Sequence, residues 1–208
     1  MRAVLATRNE HKLRELSELL RGVRLDPLPD DVLLPPETGT TFADNALVKA
    51  RVAAIATGMP AIADDSGIEA AALAGAPGVW SARYAGEDAT DQENLAKLLR
   101  EVPASERRVS YVCALVYVEP GGREEVVHGR CDGALAAEPR GSGGFGYDPA
   151  FVPADLDDGR TMAELDPAEK DAISHRGRAA RALARRLQEL QADDHEAAGR
   201  RIRRRRRP

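Results

Sequence analysis

Ala61-Ile62-Ala63-Asp64-Asp65-Ser66-Gly67 is the stretch of this chain best suited to chemistry. A short apolar run ends in two adjacent acids. A buried strand that brings paired carboxylates to its C-terminal end can hold a divalent cation. Open α/β sheets bind ligands just beyond such ends. The same residues also suit a solvated turn. Thr7-Arg8-Asn9-Glu10-His11-Lys12 lies between a strand-like run and a helical pattern. Free backbone N–H groups and the helix dipole favour a phosphate there. Lys12 adds charge, and Thr7 and Asn9 add short hydrogen-bonding groups, but the glycines of a Walker A loop are missing. Asn45 and Lys49 stand four residues apart and share a helix face. Glu37 lies just upstream, where a lone acid is otherwise a solvated loop residue.

Phe145 and Tyr147 sit among glycines in Gly143-Gly144-Phe145-Gly146-Tyr147-Asp148-Pro149. Flexible backbone beside an aromatic ring suits stacking on a flat base, and equally suits a hairpin with a core aromatic. Lys170 and Ser174-His175-Arg176-Gly177 place cationic or titratable groups near two helix starts, where His175 also fits a surface position. Acids for a metal, cations for phosphates and an aromatic loop for a base together describe a metal-dependent nucleotide site. No Ser/His/Asp order suggests an acyl hydrolase, and no Cys/His spacing suggests zinc.

Alternating elements must position these groups. Residues 4–6 predict a strand, and Leu13, Leu16, Leu19 and Leu20 a helix over 11–21. Residues 22–40 read as loop with one strand. Thr41 caps a helix to about Thr57, closed by Gly58. The Asp-Asp strand follows, then loop over 70–90 and a helix capped by Asp91. Residues 109–119 and 124–136 form an antiparallel pair around Pro120-Gly121-Gly122. Asp166-Pro167-Ala168-Glu169 starts a helix, and another fills 174–190. The expected fold is α/β: an elongated mixed β-sheet with flanking helices and two lobes around a central cleft.

The 208 residues suit one catalytic domain over 1–190, with a disordered Arg-rich tail over 191–208. The net charge is −4, yet residues 200–207 hold seven of the 30 basic residues. The other 23 face 34 acids, so the body carries about −11. An acidic body argues against extended nucleic-acid binding, which only the tail would support. No apolar run approaches a membrane span, and no signal peptide is evident. A cytoplasmic address is expected. Cys113 and Cys131 read as buried free thiols.

These motifs resemble the inosine/xanthosine triphosphate pyrophosphatase family. The resemblance is carried by Leu5-Ala6-Thr7-x-Asn9-x-x-Lys12, Thr38-Gly39-x-Thr41-Phe42-x-x-Asn45-Ala46-x-x-Lys49-Ala50, Ala63-Asp64-Asp65-Ser66-Gly67, the 75–86 segment, the Phe145 loop, and Glu169-Lys170 through Gly177. It covers most of residues 3–185. It implies hydrolysis of ITP, dITP or XTP to the monophosphate and pyrophosphate, with Mg²⁺ and a homodimer. It also implies roles. Asp65 is the general base and a metal ligand, Glu37 a second ligand, and Asp64 a supporting acid. Thr7, Arg8, Asn9, Glu10, His11, Lys12, Lys49 and Lys170 contact the triphosphate, and Ser66 the substrate. Phe145, Gly146, Tyr147, Asp148, His175 and Arg176 form the base pocket. A donor from Arg176 or a backbone N–H would favour the C6 carbonyl of hypoxanthine over adenine's amino group. On that reading Arg176→Ala weakens ITP preference more than phosphate binding. The chain departs from the family pattern at Arg8 and His11. Three other readings remain at this stage: a pyrophosphatase for modified pyrimidine triphosphates, a nucleotide- or RNA-binding module without turnover, and an aspartyl-phosphate phosphatase.

Overall fold

The computed structural model describes the backbone of residues 1–205 and the side chains to residue 193. The elements follow in the order β1 (Arg2–Leu5), α1 (Glu10–Leu19), β2 (Arg24–Pro27), α2 (Phe42–Thr57), β3 (Ala61–Ala70), α3 (Asp91–Glu101), β4 (Arg108–Val118), β5 (Glu124–Leu135), β6 (Phe151–Pro153), α4 (Pro167–Ile173) and α5 (His175–Arg205). One mixed sheet of six strands runs β2-β1-β3-β4-β5-β6. Helices flank it, so the α/β class expected from the sequence holds.

Pairing explains where the sheet opens. β1 lies parallel to β3 but reaches only Ala61 and Ile62. β4 runs antiparallel along the whole of β3, from Ala61↔Val118 to Ala70↔Val109. Beyond Ile62, one edge of β3 is therefore free of β1, and the chain leaving β1 turns past it into α1. That crevice at the end of a parallel strand is where α/β sheets take ligands.

Apolar residues divide around the same point. Leu5, Leu16, Ile62, Leu115 and Leu183 pack on the α1/α5 face, and Val4, Ala46, Ala50, Ala63 and Val116 on the α2 face. Ile68, Leu98, Val109, Phe151 and Met162 form a third core at the far end of the sheet. The polar residues 64–67 lie between these cores, which is the division into two lobes.

Several expectations change. β3 does not end at the paired acids Asp64 and Asp65 but continues to Ala70. Full pairing with β4 overrides the turn preference of Asp-Asp-Ser-Gly. The cap of α3 is Thr90, in a capping box with Glu93, and Asp91 is the first helical residue. β6 was missed, because three residues carry no readable period. α5 passes residue 190 and is helical to Arg205, where the sequence reading placed a disordered tail. Gln188, Glu189, Leu190, Gln191 and Ala192 are good helix formers and sustain it. Residues 206–208 lie outside the described residues.

Candidate active site

A cleft of about 370 Å³ opens at the junction of the lobes. Thr7, Arg8, Asn9, His11 and Lys12 line it from the β1–α1 turn, Glu37 from the loop before α2, Lys49 from α2, and Asp65 and Ser66 from β3. Phe145, Gly146, Tyr147, Asp148, Lys170, His175 and Arg176 close its other side. Glu10 is the exception among the expected residues: it opens α1 and is exposed outside the cleft.

The turn into α1 is shaped by Asn9, whose Oδ1 accepts the N–H groups of His11 and Lys12. This side chain already caps two of the helix's free donors. The Arg8 guanidinium is engaged by the 28–32 loop. It donates to the carbonyls of Leu28, Pro29 and Val32 at 2.8, 2.6 and 2.9 Å. Arg8 therefore ties the 28–32 loop to the β1 turn.

The two adjacent acids do not act as a pair. Successive strand residues point to opposite faces. Asp64 faces α5. Its Oδ2 meets Lys12 Nζ at 3.0 Å and Arg176 Nη2 at 3.4 Å, and accepts from the Ser66 hydroxyl at 3.2 Å. Burial alone would raise its pKa, but Lys12, Arg176 and Lys49 outweigh that and hold it far below the usual carboxylate range. Asp65 faces α2 and the cleft. Its Oδ2 accepts from Asn45 Nδ2 at 2.8 Å. Burial and the Glu37 charge raise its pKa, partly offset by Lys49 and by the Asn45 hydrogen bond. Lys49 lies between the acids: Nζ donates to Glu37 Oε1 at 2.5 Å and to the Asp64 carbonyl at 2.7 Å. Arg83 donates to the Glu37 carbonyl at 2.8 Å and fixes that loop from the far side.

The other wall is a buried charge network. Glu15 bridges two cations, accepting from Lys170 Nζ at 2.8 Å and from Arg176 Nη1 at 2.5 Å. Burial opposes ionisation of Glu15, but Arg176 and Lys170 prevail and lower its pKa. Lys170 also donates to Asp148 Oδ2 at 2.8 Å. Arg176 Nη2 donates to the Ser66 hydroxyl at 2.9 Å. His175 is buried, its Nδ1 has no hydrogen-bond partner, and burial followed by Arg176 and Lys170 holds its pKa well below the usual imidazole value. The rings of His11 and Phe145 stack at 5.2 Å between centroids.

Glu15, Arg83 and Tyr111 were not predicted as site residues. Glu15 stands three residues after Lys12 on one helix face, a spacing that could have flagged it. Tyr111 looked like any strand aromatic. Among the described residues no three His, Cys, Asp or Glu side chains converge as a ready-made metal cage. The donor set nevertheless fits a hard cation. Glu37 and Asp65 supply two carboxylates near enough to repel, and Mg²⁺ usually takes one or two carboxylates plus substrate phosphates.

Known proteins are similar to this chain along most of its length. Residues 3–186 match the Ham1 family. A dITP/XTP pyrophosphatase of Frankia alni is 53% identical over 204 residues, covering 91% of this chain and 98% of that protein. The dITP/XTP pyrophosphatase of Escherichia coli strain K12 is 50% identical over 191 residues, covering 88% and 95%. The solved structure of a HAM1 protein from Coxiella burnetii superposes with a TM-score of 0.82 at 46% identity, covering 91% of this chain and 99% of that one.

Proposed function

This chain belongs to the Ham1 family, and from that premise we propose that its cleft hydrolyses the non-standard purine nucleoside triphosphates ITP, dITP and XTP. The products are the monophosphate and pyrophosphate, and deaminated purines are thereby removed from the nucleotide pool. The observation that carries this reading is the meeting of Asp65 and Glu37, the cations Lys12, Lys49, Lys170 and Arg176, and the Phe145 ring in one cleft. A triphosphate carries about four negative charges, and phosphoryl transfer depends on positioning and charge stabilisation.

In the proposed reaction a water oxygen attacks the α-phosphorus. The bond from that phosphorus to the α–β bridging oxygen breaks, and pyrophosphate departs with the electron pair. Asp65 orients the water and accepts its proton at a carboxylate oxygen. Glu37 and Asp65 would hold Mg²⁺. Bound there, the ion neutralises phosphate charge and acidifies the water. Lys12 and Lys49 stand at the phosphate end and exchange their carboxylate partners for phosphate oxygens. Phe145 stacks on the base. His175 lines the base end of the cleft, where its ring, stacked on Tyr111, shapes the pocket for the base.

Residues 1–190 act as one catalytic unit in this reading, as a cytoplasmic homodimer. Among the described residues no helix is long and apolar enough to cross a membrane. A chain cut after residue 190 is expected to keep full turnover, and sedimentation tests the dimer. The decisive assay measures pyrophosphate and orthophosphate from ITP, XTP, dITP, GTP and ATP, with Mg²⁺ and with EDTA. Mg²⁺-dependent pyrophosphate from the first three is expected, with GTP and ATP nearly inert. Orthophosphate as the first product, or equal turnover of ATP, would overturn the proposal.

A further inference from the structure

Tyr111, on β4, is buried at the cleft wall. Its ring lies flat between two others, Phe151 at 4.4 Å and 25° and His175 at 4.5 Å and 16°. Its hydroxyl donates to Asp148 Oδ1 at 3.0 Å. The other oxygen of Asp148, Oδ2, accepts from the Phe145 backbone N–H at 3.0 Å and from Lys170 Nζ at 2.8 Å. One phenol thus supports the imidazole on one side and, through one carboxylate, the aromatic loop on the other. That loop needs an anchor. Phe145 is flanked by Gly144 and Gly146, with φ of 69° and 62°, and glycines leave such backbone free to wander.

We propose that Tyr111 is a positioning residue for the base end of the cleft: it sets the plane of His175 and, by way of Asp148, the place of Phe145. This rests on the nucleotide reading above. Burial, together with the Asp148 charge, raises the phenol's pKa, so it stays protonated and remains a donor. Tyr111 takes no part in the bond changes. Its effect falls on how well the base is held; at the phosphate end Lys170 shares Asp148 but keeps Glu15 as a second partner and stays in place.

Tyr111→Phe tests this, because it keeps the ring stack and removes only the hydroxyl. A hydrogen bond to a charged group corresponds to roughly tenfold in an equilibrium constant. The KM for ITP is expected to rise about tenfold with kcat within about twofold. Inhibition by inorganic pyrophosphate, which probes only the phosphate end, should not change. In the free protein, amide hydrogen exchange should quicken several-fold at Phe145 and stay constant at Ser66. A KM for ITP equal to that of the unaltered enzyme would overturn the proposal. So would parallel losses for ITP and pyrophosphate, which mark general damage. No turnover of ITP by the unaltered enzyme would instead overturn the nucleotide reading, and this proposal with it.

Discussion

At the residue scale, the adjacent acids Asp64 and Asp65 have separate duties because a strand points them apart. Asp65 faces the cleft, and Asp65→Asn should cut pyrophosphate release by at least about 10²-fold. Its melting temperature should stay within a few degrees, since the amide preserves the shape. Equal rates for the two proteins would remove Asp65 from the chemistry. Arg176 invites a different expectation from the one its sequence suggested. It is 3% exposed and already serves Glu15, Ser66 and Asp64. Removing one member of a buried charge network strands its partners, at a cost of about 3–5 kcal/mol. Arg176→Ala should therefore lower the urea midpoint strongly before any change in base preference can be read. A midpoint equal to that of the unaltered chain would restore the simpler view of a base-contacting donor.

At the element scale, the site depends on how closely α5 lies on β5. Gly129 sits on β5 where an added Cβ would fall 2.0 Å from the His175 carbonyl and 2.6 Å from the Ala179 N–H. Overpacking of a close contact costs about 1–3 kcal/mol. Gly129→Ala should lose that much stability and raise the KM for ITP, because lifting the start of α5 moves His175 and Arg176 together. Chemical denaturation and steady-state kinetics on one preparation check both effects. Stability lost without any change in KM would show that α5 repositions without carrying the site. The start of α4 has a similar role. Asp166 caps it in a box with Glu169, and Lys170 follows directly. This cap was legible in the sequence because Asp, Pro and Glu occupy the positions the physics demands.

At the scale of the whole molecule, the buried network makes stability depend on pH. Glu15 and Asp64 have folded pKa values below their unfolded ones. Their contribution is present above about pH 4 and is lost as pH falls through the lowered values. His175 is lowered too, so the folded state disfavours its proton. Below about pH 6.5 the unfolded chain binds a proton that the folded chain does not, and stability falls by up to about 1.4 kcal/mol per pH unit. Melting temperatures should decline in two stages, gently below pH 6.5 and steeply below pH 4. His175→Gln should flatten the first stage only. An unchanged slope would mean that His175 titrates normally. Metal dependence follows from the same architecture. Two carboxylates, with no third joining them among the described residues, make a weak site alone. Mg²⁺ by itself should leave the melting temperature nearly unchanged, while EDTA abolishes turnover. A large shift with Mg²⁺ alone would indicate a preformed cage.

The sequence by itself determined the alternation of helices and strands, the caps at Thr41 and Asp166, and the residue types that meet in the cleft. Those features are local: periodicity, capping and turn chemistry act over a few residues. It also carried the family resemblance, because the motifs stay in order along the chain. Only the tertiary structure decided that β3 continues past Asp65 to Ala70, since β4, distant in the chain, contributes that pairing. It decided that Arg8 holds the 28–32 loop, that Glu15 joins Lys170 to Arg176 across more than 150 residues, and that Tyr111 stands behind His175. Burial and partnership are long-range properties: a charge reads the same in the sequence whether it faces water or a buried carboxylate, and its energy differs by several kcal/mol between the two.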